Sequence, residues 1–200
     1  MEFVTALLQS AKETSASEWM AVATSIGYII LMSLGNRIAW LFGIVSSGIY
    51  ILIFYSNLLY LEAILQSFYV LMGIYGWYNW THTQKKDSIF VAIKWHPKYH
   101  VVILITGLLI TGMLGWLFSQ NTSQLNPYAD AMIFTFSIFS TFMAVKKVLE
   151  NWIYWMAIDC IGIWLFSSNG LHLTAVLYAV YSVMAIAGFF KWRQFLNAKR

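Results

Sequence analysis

Seven long runs of apolar residues divide the chain, and short polar segments separate them. The runs cover residues 19–35, 38–55, 58–80, 99–118, 131–146, 152–168 and 171–190. Most of them are long enough to cross about 30 Å of hydrocarbon as an α-helix that rises about 1.5 Å per residue. Isolated β-strands would leave their backbone groups unpaired in lipid. The pattern therefore predicts an all-α membrane protein with seven transmembrane helices.

The first three runs are repeated by the last three at a fixed spacing of 112 residues. Aligned without gaps, residues 19–80 and 131–192 are identical at 18 of 62 positions. Chance pairing in so apolar a chain would give roughly four or five identities. The identical pairs include Trp40/Trp152, Asn57/Asn169, Ala63/Ala175, Tyr69/Tyr181, Gly76/Gly188 and Trp80/Trp192. An internal duplication in a membrane protein is typical of transporters.

Basic residues fall almost entirely on one side of this seven-helix arrangement. Eleven of the 12 Lys and Arg residues lie in the connections after the first, third and fifth predicted helices and at the C-terminus, and Lys12 is the exception. Because cytoplasmic loops accumulate Lys and Arg, we expect a cytoplasmic C-terminus and an external N-terminus. The net charge of +4 follows from this topology and gives no reason to expect nucleic-acid binding.

The fourth predicted helix explains how the two copies can share one orientation. Each copy has an odd number of spans, so direct fusion would insert the second copy upside down. One intervening helix restores a parallel 3+1+3 repeat about an axis along the membrane normal, as in SWEET-type transporters. Gly107, Thr111 and Gly115 give this helix a face of small residues that is available for packing.

The predicted organisation has five parts. Residues 1–18 form an N-terminal segment that is either flexible or an interfacial amphipathic helix. Residues 19–80 and 131–192 are the two three-helix repeats. Residues 81–130 contain a basic cytoplasmic loop, the linker helix and an outer loop, and residues 193–200 form a basic cytoplasmic tail.

Composition excludes several classes of protein. With 60% hydrophobic and 10% charged residues, 200 residues cannot cover the surface of a soluble domain. The single cysteine, Cys160, excludes an intrachain disulfide, and four scattered histidines give no zinc-binding cluster. The spans contain no Ser/His/Asp constellation, and the chain has no phosphate-binding P-loop. We therefore expect no enzyme activity, no cofactor and no metal.

Differences between the two copies mark the predicted substrate site. The mismatches near mid-depth are Gln66 against Tyr178, Ser47 against Asp159, and Gly43 against Trp155. Asp159 is the one acidic residue that lies deep inside a predicted span, where burial of an unpaired carboxylate costs several kcal/mol of free energy. Two interpretations remain: the carboxyl group fixes helix packing, or it faces a cavity that binds substrate.

An aromatic stripe accompanies this carboxylate on the sixth predicted helix. Trp152, Trp155 and Asp159 are spaced i, i+3 and i+7, so they share one helical face. Two π faces beside a carboxylate would suit a flat cationic heterocycle. A tryptophan at a helix end is also typical of the membrane interface, and we prefer that interpretation for Trp152, Trp80 and Trp192.

Polar side chains at the same depth occur on the third and seventh predicted helices. Gln66 and Tyr69 lie on one face of the third helix, and Tyr178 and Tyr181 present hydroxyls on the seventh. A buried glutamine needs a polar partner, which is either another helix or a substrate hydroxyl or amide.

Short motifs are distributed over the chain: Trp40-Leu-Phe-Gly43-Ile, Leu59-Tyr60-x-Glu62-Ala63-x-x-Gln66-x-Phe68-Tyr69, Gly76-Trp77-Tyr78-x-Trp80, Asp130-Ala131, Glu150-x-Trp152-x-x-Trp155-x-x-x-Asp159 and Leu177-Tyr178-x-x-Tyr181. Together they resemble the motifs of the PnuC family of bacterial vitamin transporters. The resemblance covers nearly all of the chain after the N-terminal segment, and the Trp-x-x-Trp pair is its most specific part.

This resemblance implies a SWEET-like homotrimer, surrounded by lipid, in the bacterial inner membrane. It implies that nicotinamide riboside, a pyridinium nucleoside, enters by facilitated diffusion and is trapped by a cytosolic riboside kinase. The substrate-binding residues that it implies are Trp155, Gln66, Trp152, Asp159, Tyr69, Tyr178 and Tyr181. The alternatives are transport of thiamine, riboflavin or a deoxynucleoside, and a PQ-loop-like receptor that does not transport. Proton coupling through Asp159 is a further alternative to simple diffusion.

Overall fold

The computed structural model describes residues 15–56, 60–83, 90–122, 125–170 and 172–196. These residues form seven α-helices: α1 (Ala16–Ser33), α2 (Ala39–Ser56), α3 (Tyr60–Thr83), α4 (Pro97–Asn121), α5 (Pro127–Val145), α6 (Asn151–Ser168) and α7 (His172–Phe195). The all-helical class and the seven predicted elements are confirmed. Most of the N-terminal segment, residues 1–14, and the end of the basic tail lie outside the described residues.

Polar capping residues extend the helices beyond the apolar runs. The Ser15 side chain accepts a hydrogen bond from the Glu18 N–H at 3.2 Å, and the Glu18 carboxylate accepts one from the Ser15 N–H at 2.7 Å. This reciprocal capping box starts α1 at Ala16, inside the segment expected to be flexible or interfacial. Pro97 and Pro127 begin α4 and α5, where a missing N–H costs no helical hydrogen bond.

The helices pack as two groups of three, with one additional helix. In the first group α2 packs against α1 and α3, and in the second α6 packs against α5 and α7. The groups meet where α3 lies against α5 and where α1 lies against α7. The additional helix, α4, packs against α5, and the rings of Phe136 and Tyr128 cover Gly107 and Gly115. The predicted packing face of α4 is therefore confirmed, since Gly107, Thr111 and Gly115 are buried.

Equivalent helices in the two groups have equivalent ends. The bounds of α2 and α6, and those of α3 and α7, differ by 112 residues at both termini. After the first helix of each group, the backbone turns through a left-handed conformation, with φ of 67° at Gly35 and 60° at Lys147. A side chain at Gly35 would have no space, because a Cβ there would lie 2.4 Å from the ring of Phe90.

Four of the helical segments are long and apolar enough to cross a membrane by length and composition: Ala39–Ser56, Pro97–Asn121, Pro127–Val145 and Thr174–Phe195. Polar residues lower the hydropathy of α1, α3 and α6. In α6 they include Asn151 and Asp159, which are buried against the rest of the bundle. Large apolar side chains such as Leu52, Leu109 and Val183 remain exposed, as expected of a surface that contacts lipid.

Four buried tryptophans form the core where α3 and α7 end. Trp40 meets Trp80 edge-to-face with ring centroids 5.5 Å apart, and Trp152 meets Trp192 in the same way at 5.4 Å. The interfacial location expected for Trp80, Trp152 and Trp192 is therefore wrong, because these rings are almost completely buried within the bundle. The Trp152 ring covers Gly188 of the neighbouring helix, and the indole N–H groups of Trp80 and Trp192 donate to backbone carbonyls of the opposite group, so all three have helix-packing roles.

The connection before α4 adds a fifth aromatic ring to this core. Phe90 lies between Trp80 and Trp192, with ring centroids 4.9 and 4.8 Å away. The Ile93 N–H donates a hydrogen bond of 2.9 Å to the Lys147 carbonyl oxygen, which holds this connection against the turn between α5 and α6. Burial in this environment lowers the pKa of the Lys147 ammonium group. Rings from both groups therefore fill the space between them at this end.

Candidate functional site

Two matched hydrogen bonds join the groups at the aromatic end. The Trp80 indole N–H donates to the Val145 carbonyl oxygen at 3.0 Å, and the Trp192 indole N–H donates to the Met32 carbonyl oxygen at 2.9 Å. Each acceptor lies in the last turn of the first helix of the opposite group. Residues related by the 112-residue spacing thus make corresponding contacts across the two junctions between the groups.

A second matched pair of contacts lies about three turns farther along α3 and α7. The Tyr69 hydroxyl lies close to Ser137, and the Tyr181 hydroxyl lies close to Ser25. Tyr69 corresponds to Tyr181 in the repeat, and Ser137 corresponds to Ser25. The sequence pattern had pointed to the tyrosines but not to the serines. The identity of the two serines across the repeat was the signal that would have identified them.

Asp159 lies in the interior near the middle of α6, with only 3% of its surface exposed. Tyr178 and Tyr181 are within electrostatic interaction range of its carboxyl group, and Tyr178 also interacts with Tyr69. Within the part of the chain that the structure describes, no residue donates a hydrogen bond to this carboxyl group. Electrostatic interactions therefore link four of the seven predicted site residues in the interior of the bundle, namely Asp159, Tyr178, Tyr181 and Tyr69.

The other three predicted residues have different surroundings. Trp155 is half-buried, packs against both hydrophobic clusters of the bundle, and lies one turn from Asp159 on α6. Gln66 is half-buried, one turn from Tyr69, and its side chain forms no hydrogen bond with the described residues. Trp152 is 2% exposed and belongs to the aromatic core, where its indole N–H has no partner among the described residues. Trp155 and Gln66 therefore retain accessible surface, whereas Trp152 is packed.

At one pair of corresponding positions the two groups carry an aromatic residue on different helices. In the second group, the ring of Tyr178 from α7 lies directly over Gly162 of α6. The corresponding residues of the first group are Gln66 and Tyr50, so the aromatic residue is on α2 and the amide is on α3. The exchange keeps a phenol ring in both groups and changes which helix supplies it.

A second exchange of the same kind involves the predicted aromatic residue of the site. The ring of Tyr28 from α1 packs against Gly43 of α2. The corresponding residues of the second group are Ser140 and Trp155, so there the aromatic residue is on the other helix of the pair. Together the two exchanges place Gln66 in one group and Trp155 with Asp159 in the other. A nearly symmetric scaffold thus acquires an asymmetric interior.

A separate groove of about 450 Å³ lies on the outside of the bundle, between α4, α5 and α6. Its lining is apolar and includes Cys160 and Trp164, and none of the predicted site residues contributes to it. The residues that the structure describes also contain no group of three or more His, Cys, Asp or Glu side chains suited to a metal ion. The interior cluster around Asp159 is therefore the candidate site.

The chain is similar in sequence and in fold to known transporters. Residues 15–194 match the family model described as nicotinamide mononucleotide transporter. The chain is 25% identical over 199 residues to the nicotinamide riboside transporter PnuC of Escherichia coli K12, covering 86% of this chain and 83% of that protein. It is also 25% identical over 184 residues to the riboflavin/roseoflavin transporter RibM of Streptomyces davaonensis, covering 87% and 84%. The crystal structure of the vitamin B3 transporter PnuC has a similar fold, with a TM-score of 0.73 at 18% identity over 98% of this chain and 88% of that chain.

Proposed function

The chain belongs to the PnuC family of nicotinamide mononucleotide transporters, and from this premise we propose that it carries nicotinamide riboside across the inner membrane by facilitated diffusion. The observation that carries the proposal is the buried Asp159 carboxyl group, which has no hydrogen-bond donor among the described residues. A membrane protein retains such a group at a cost of several kcal/mol, usually because it serves a ligand. A cationic pyridinium ring is a ligand of the required charge.

The side chains around Asp159 suit the other parts of this substrate. Trp155 presents an indole ring one turn away, and an indole attracts a flat cation through its π face. The Gln66 amide can exchange hydrogen bonds with the carboxamide of the nicotinamide ring. Tyr69, Tyr178 and Tyr181 supply hydroxyl groups within the same interior. The site therefore combines a carboxylate, an aromatic face and several hydrogen-bonding groups.

The transport cycle that we propose uses the two groups of helices as halves of a SWEET-like parallel repeat. The equal spacing of helix ends and the matched Tyr–Ser and Trp–carbonyl contacts support this repeat. All seven helices would span the membrane, with the N-terminus outside, the C-terminus and the aromatic end in the cytoplasm, and α4 as the linker. Rocking of one half against the other would alternate access to Asp159. A homotrimer and trapping of the riboside by a cytosolic kinase complete the proposal.

The distribution of charge favours the riboside over its mononucleotide. Every Lys and Arg residue lies in a connection, at a terminus or in the first or last turns of a helix, so none can pair with a phosphate beside Asp159. Burying an unpaired anion costs several kcal/mol. We expect the mononucleotide to bind at least about 100-fold more weakly than the riboside. Calorimetry on the purified protein would measure both affinities, and equal affinities would contradict this assignment of charge.

Transport itself is tested by counterflow in proteoliposomes that contain no kinase. Labelled nicotinamide riboside should accumulate transiently against unlabelled riboside inside, and liposomes without the protein provide the control. Because facilitated diffusion uses no ion gradient, dissipation of a proton gradient should leave the flux unchanged. Loss of flux on dissipation would instead indicate proton coupling through Asp159. Binding without any counterflow would indicate a receptor.

A further inference from the structure

Residues 90–95, in the connection before α4, lie against the aromatic end of the bundle, and we call them the strap. Ile93 of the strap pairs with Val148 in a parallel β-bridge. Phe90 and Ala92 are 6% and 3% exposed and belong to the same buried cluster as the four tryptophans, whereas Ile93 is 44% exposed. Because an extended chain directs alternate side chains to opposite sides, one side of the strap is apolar and faces the core.

Backbone hydrogen bonds attach the strap to the second group of helices. The Ile93 N–H donates to the Lys147 carbonyl oxygen at 2.9 Å, and the Ile93 carbonyl oxygen accepts from the Leu149 N–H at 2.8 Å. The Trp95 N–H donates to a carboxylate oxygen of Glu150 at 3.3 Å. All three partners lie between the end of α5 and the start of α6. In the described part of the chain, the strap forms no hydrogen bond with the first group.

The ring of Phe90 connects the strap to the first group. A Cβ at Gly35 would lie 2.4 Å from this ring, so the turn after α1 fits closely against it. The ring of Trp80, at the end of α3, is 4.9 Å away between centroids. Such apolar contacts separate without leaving an unsatisfied hydrogen-bonding group, whereas separation of the bonds at Ile93 would leave several. The strap therefore has a fixed attachment to one group and a releasable attachment to the other.

Phe90 also lies midway between the two groups. Trp80 and Trp192 correspond in the repeat, belong to opposite groups, and have ring centroids 6.0 Å apart. The Phe90 ring centroid is 4.9 Å from the first and 4.8 Å from the second. It therefore covers the seam between corresponding helices. In transporters built from two repeats, the substrate site lies at the interface between the repeats.

The strap explains a difference between two corresponding turns. Gly35 and Lys147 correspond in the repeat, and both have left-handed backbone, with φ of 67° and 60°. This conformation is uncommon for a residue other than glycine. The Lys147 ammonium nitrogen lies 5.6 Å from the ring centroid of Phe90 and 5.7 Å from that of Trp80, within range of a cation–π attraction. One turn thus leaves room for the Phe90 ring, and the other places a cation against it.

We propose that the strap is a gate that closes the aromatic end of the transport path, with Phe90 as its releasable contact. This inference rests on the proposed function, since it requires the two groups to separate at this end. Opening withdraws Phe90 from Gly35 and separates Trp80 from Trp192. The backbone hydrogen bonds of Ile93 remain, so the strap moves with the second group and returns with it on closing.

The accessibility of a thiol in the candidate site measures whether this end is open. Cys160→Ser removes the single cysteine of the chain, and Asp159→Cys then places one thiol at a position that is 3% exposed. Inverted membrane vesicles present the cytoplasmic face to a charged thiol reagent that does not cross the membrane. In this background Phe90→Ala should raise the labelling rate about 10-fold, because burial of a phenylalanine ring stabilises the closed arrangement by a factor of that order. Labelling from the outer face, measured on spheroplasts, should not rise.

A second variant releases the strap without altering the ring. Ile93→Pro removes the N–H that bonds to the Lys147 carbonyl oxygen and should raise labelling from the cytoplasmic face as well. Ile93→Ala is its control, because it keeps the N–H and shortens a side chain that is largely exposed. Phe190→Ala is the control for loss of a phenylalanine ring, since Phe190 is 57% exposed on α7. Both controls should label at the rate of the parent.

Three results distinguish a gate from a packing contact. Unchanged labelling in Phe90→Ala and Ile93→Pro would overturn the inference. An equal rise from both faces would indicate loosened packing and would overturn it too. A rise from the outer face alone would sustain the strap as a gate and contradict the proposed orientation in the membrane.

Failure of the proposed function has a separate signature, because the labelling experiment uses no substrate. If the unaltered protein gives no counterflow of nicotinamide riboside while Phe90→Ala still exposes the thiol from one face, the gate stands and the proposed cargo is wrong. Normal counterflow in the unaltered protein, with labelling that responds to neither strap variant, would show that the protein transports and that the strap is not its gate.

Discussion

Trp155→Ala should abolish measurable binding of nicotinamide riboside. Trp155 lies one turn from Asp159 on α6 and is half-buried, and its ring packs against both hydrophobic clusters. An aromatic side chain buries about 150–250 Å², and its cation–π attraction to a desolvated pyridinium adds about 2 kcal/mol. Together these losses amount to at least about 100-fold in affinity. Calorimetry with protein purified in detergent measures the effect.

Two further variants separate binding from folding. Trp155→Phe retains an aromatic face and should restore part of the affinity, which a purely structural explanation does not require. Trp164→Ala is the matched control, because Trp164 is on the same helix and is 57% exposed on the outside. Folding of each variant is checked by comparing its size-exclusion elution and its thermal unfolding with those of the unaltered protein. Unchanged affinity in Trp155→Ala would refute the assignment of the ring-binding residue.

Gln66→Ala belongs to the same series and should also abolish binding. The Gln66 amide forms no hydrogen bond with the described residues, so its removal leaves few protein groups unsatisfied. The loss should therefore appear in substrate affinity and not in thermal unfolding. A lowered unfolding temperature with unchanged affinity would show that Gln66 serves helix packing.

Gly76→Ala should destabilise the bundle core. A Cβ at this position would lie 2.4 Å from two atoms of the Trp40 indole ring. That ring is held edge-to-face against Trp80 and cannot move without disturbing the aromatic core. Overpacking of a rigid core costs about 1–3 kcal/mol, which corresponds to a decrease of roughly 2–12 °C in Tm. Thermal unfolding followed by tryptophan fluorescence measures it.

The control for this prediction is Gly112→Ala on α4. A Cβ at Gly112 meets no atom within 4 Å, and alanine has a helix propensity about 1 kcal/mol better than glycine. This variant should therefore unfold at the same temperature or higher. Gly188→Ala, at the position that corresponds to Gly76, would place its Cβ 2.7 Å from the Trp152 ring and should also destabilise. If Gly76→Ala and Gly112→Ala unfold alike, the close contact with Trp40 does not limit stability.

Much of the fold could be predicted because lipid restricts the available structures. A chain segment in hydrocarbon must pair its own backbone groups, so each apolar run of sufficient length becomes a helix. The packing face of α4 was also predictable, because small residues such as Gly107 and Gly115 on an apolar helix let a neighbouring helix approach closely. Helix ends were less predictable, because Ser15 and Pro127 extend the helices into polar sequence.

The tryptophans show where sequence patterns were insufficient. The sequence pattern of a tryptophan at a helix end is the same in two situations. In the first its ring lies in the membrane interface, and in the second its ring packs over a glycine of a neighbouring helix. Trp152 is in the second situation, over Gly188, and Trp80 and Trp192 are buried beside it because their indole N–H groups bond to carbonyls of the opposite group. Ser25 and Ser137 were overlooked because a single serine in an apolar helix is unremarkable until a tyrosine from the opposite group lies beside it.

The sequence by itself determined the seven helices, the 112-residue duplication and the family of this protein, because these depend on composition and order along one chain. Tertiary structure alone decided which residues meet across the junctions between the two groups. It placed the hydroxyl groups of Ser25 and Ser46 2.6 Å apart and left the Asp159 carboxyl group without a donor among the described residues. Contacts between distant helices depend on packing angle and depth. These are set by the whole bundle and not by any local pattern.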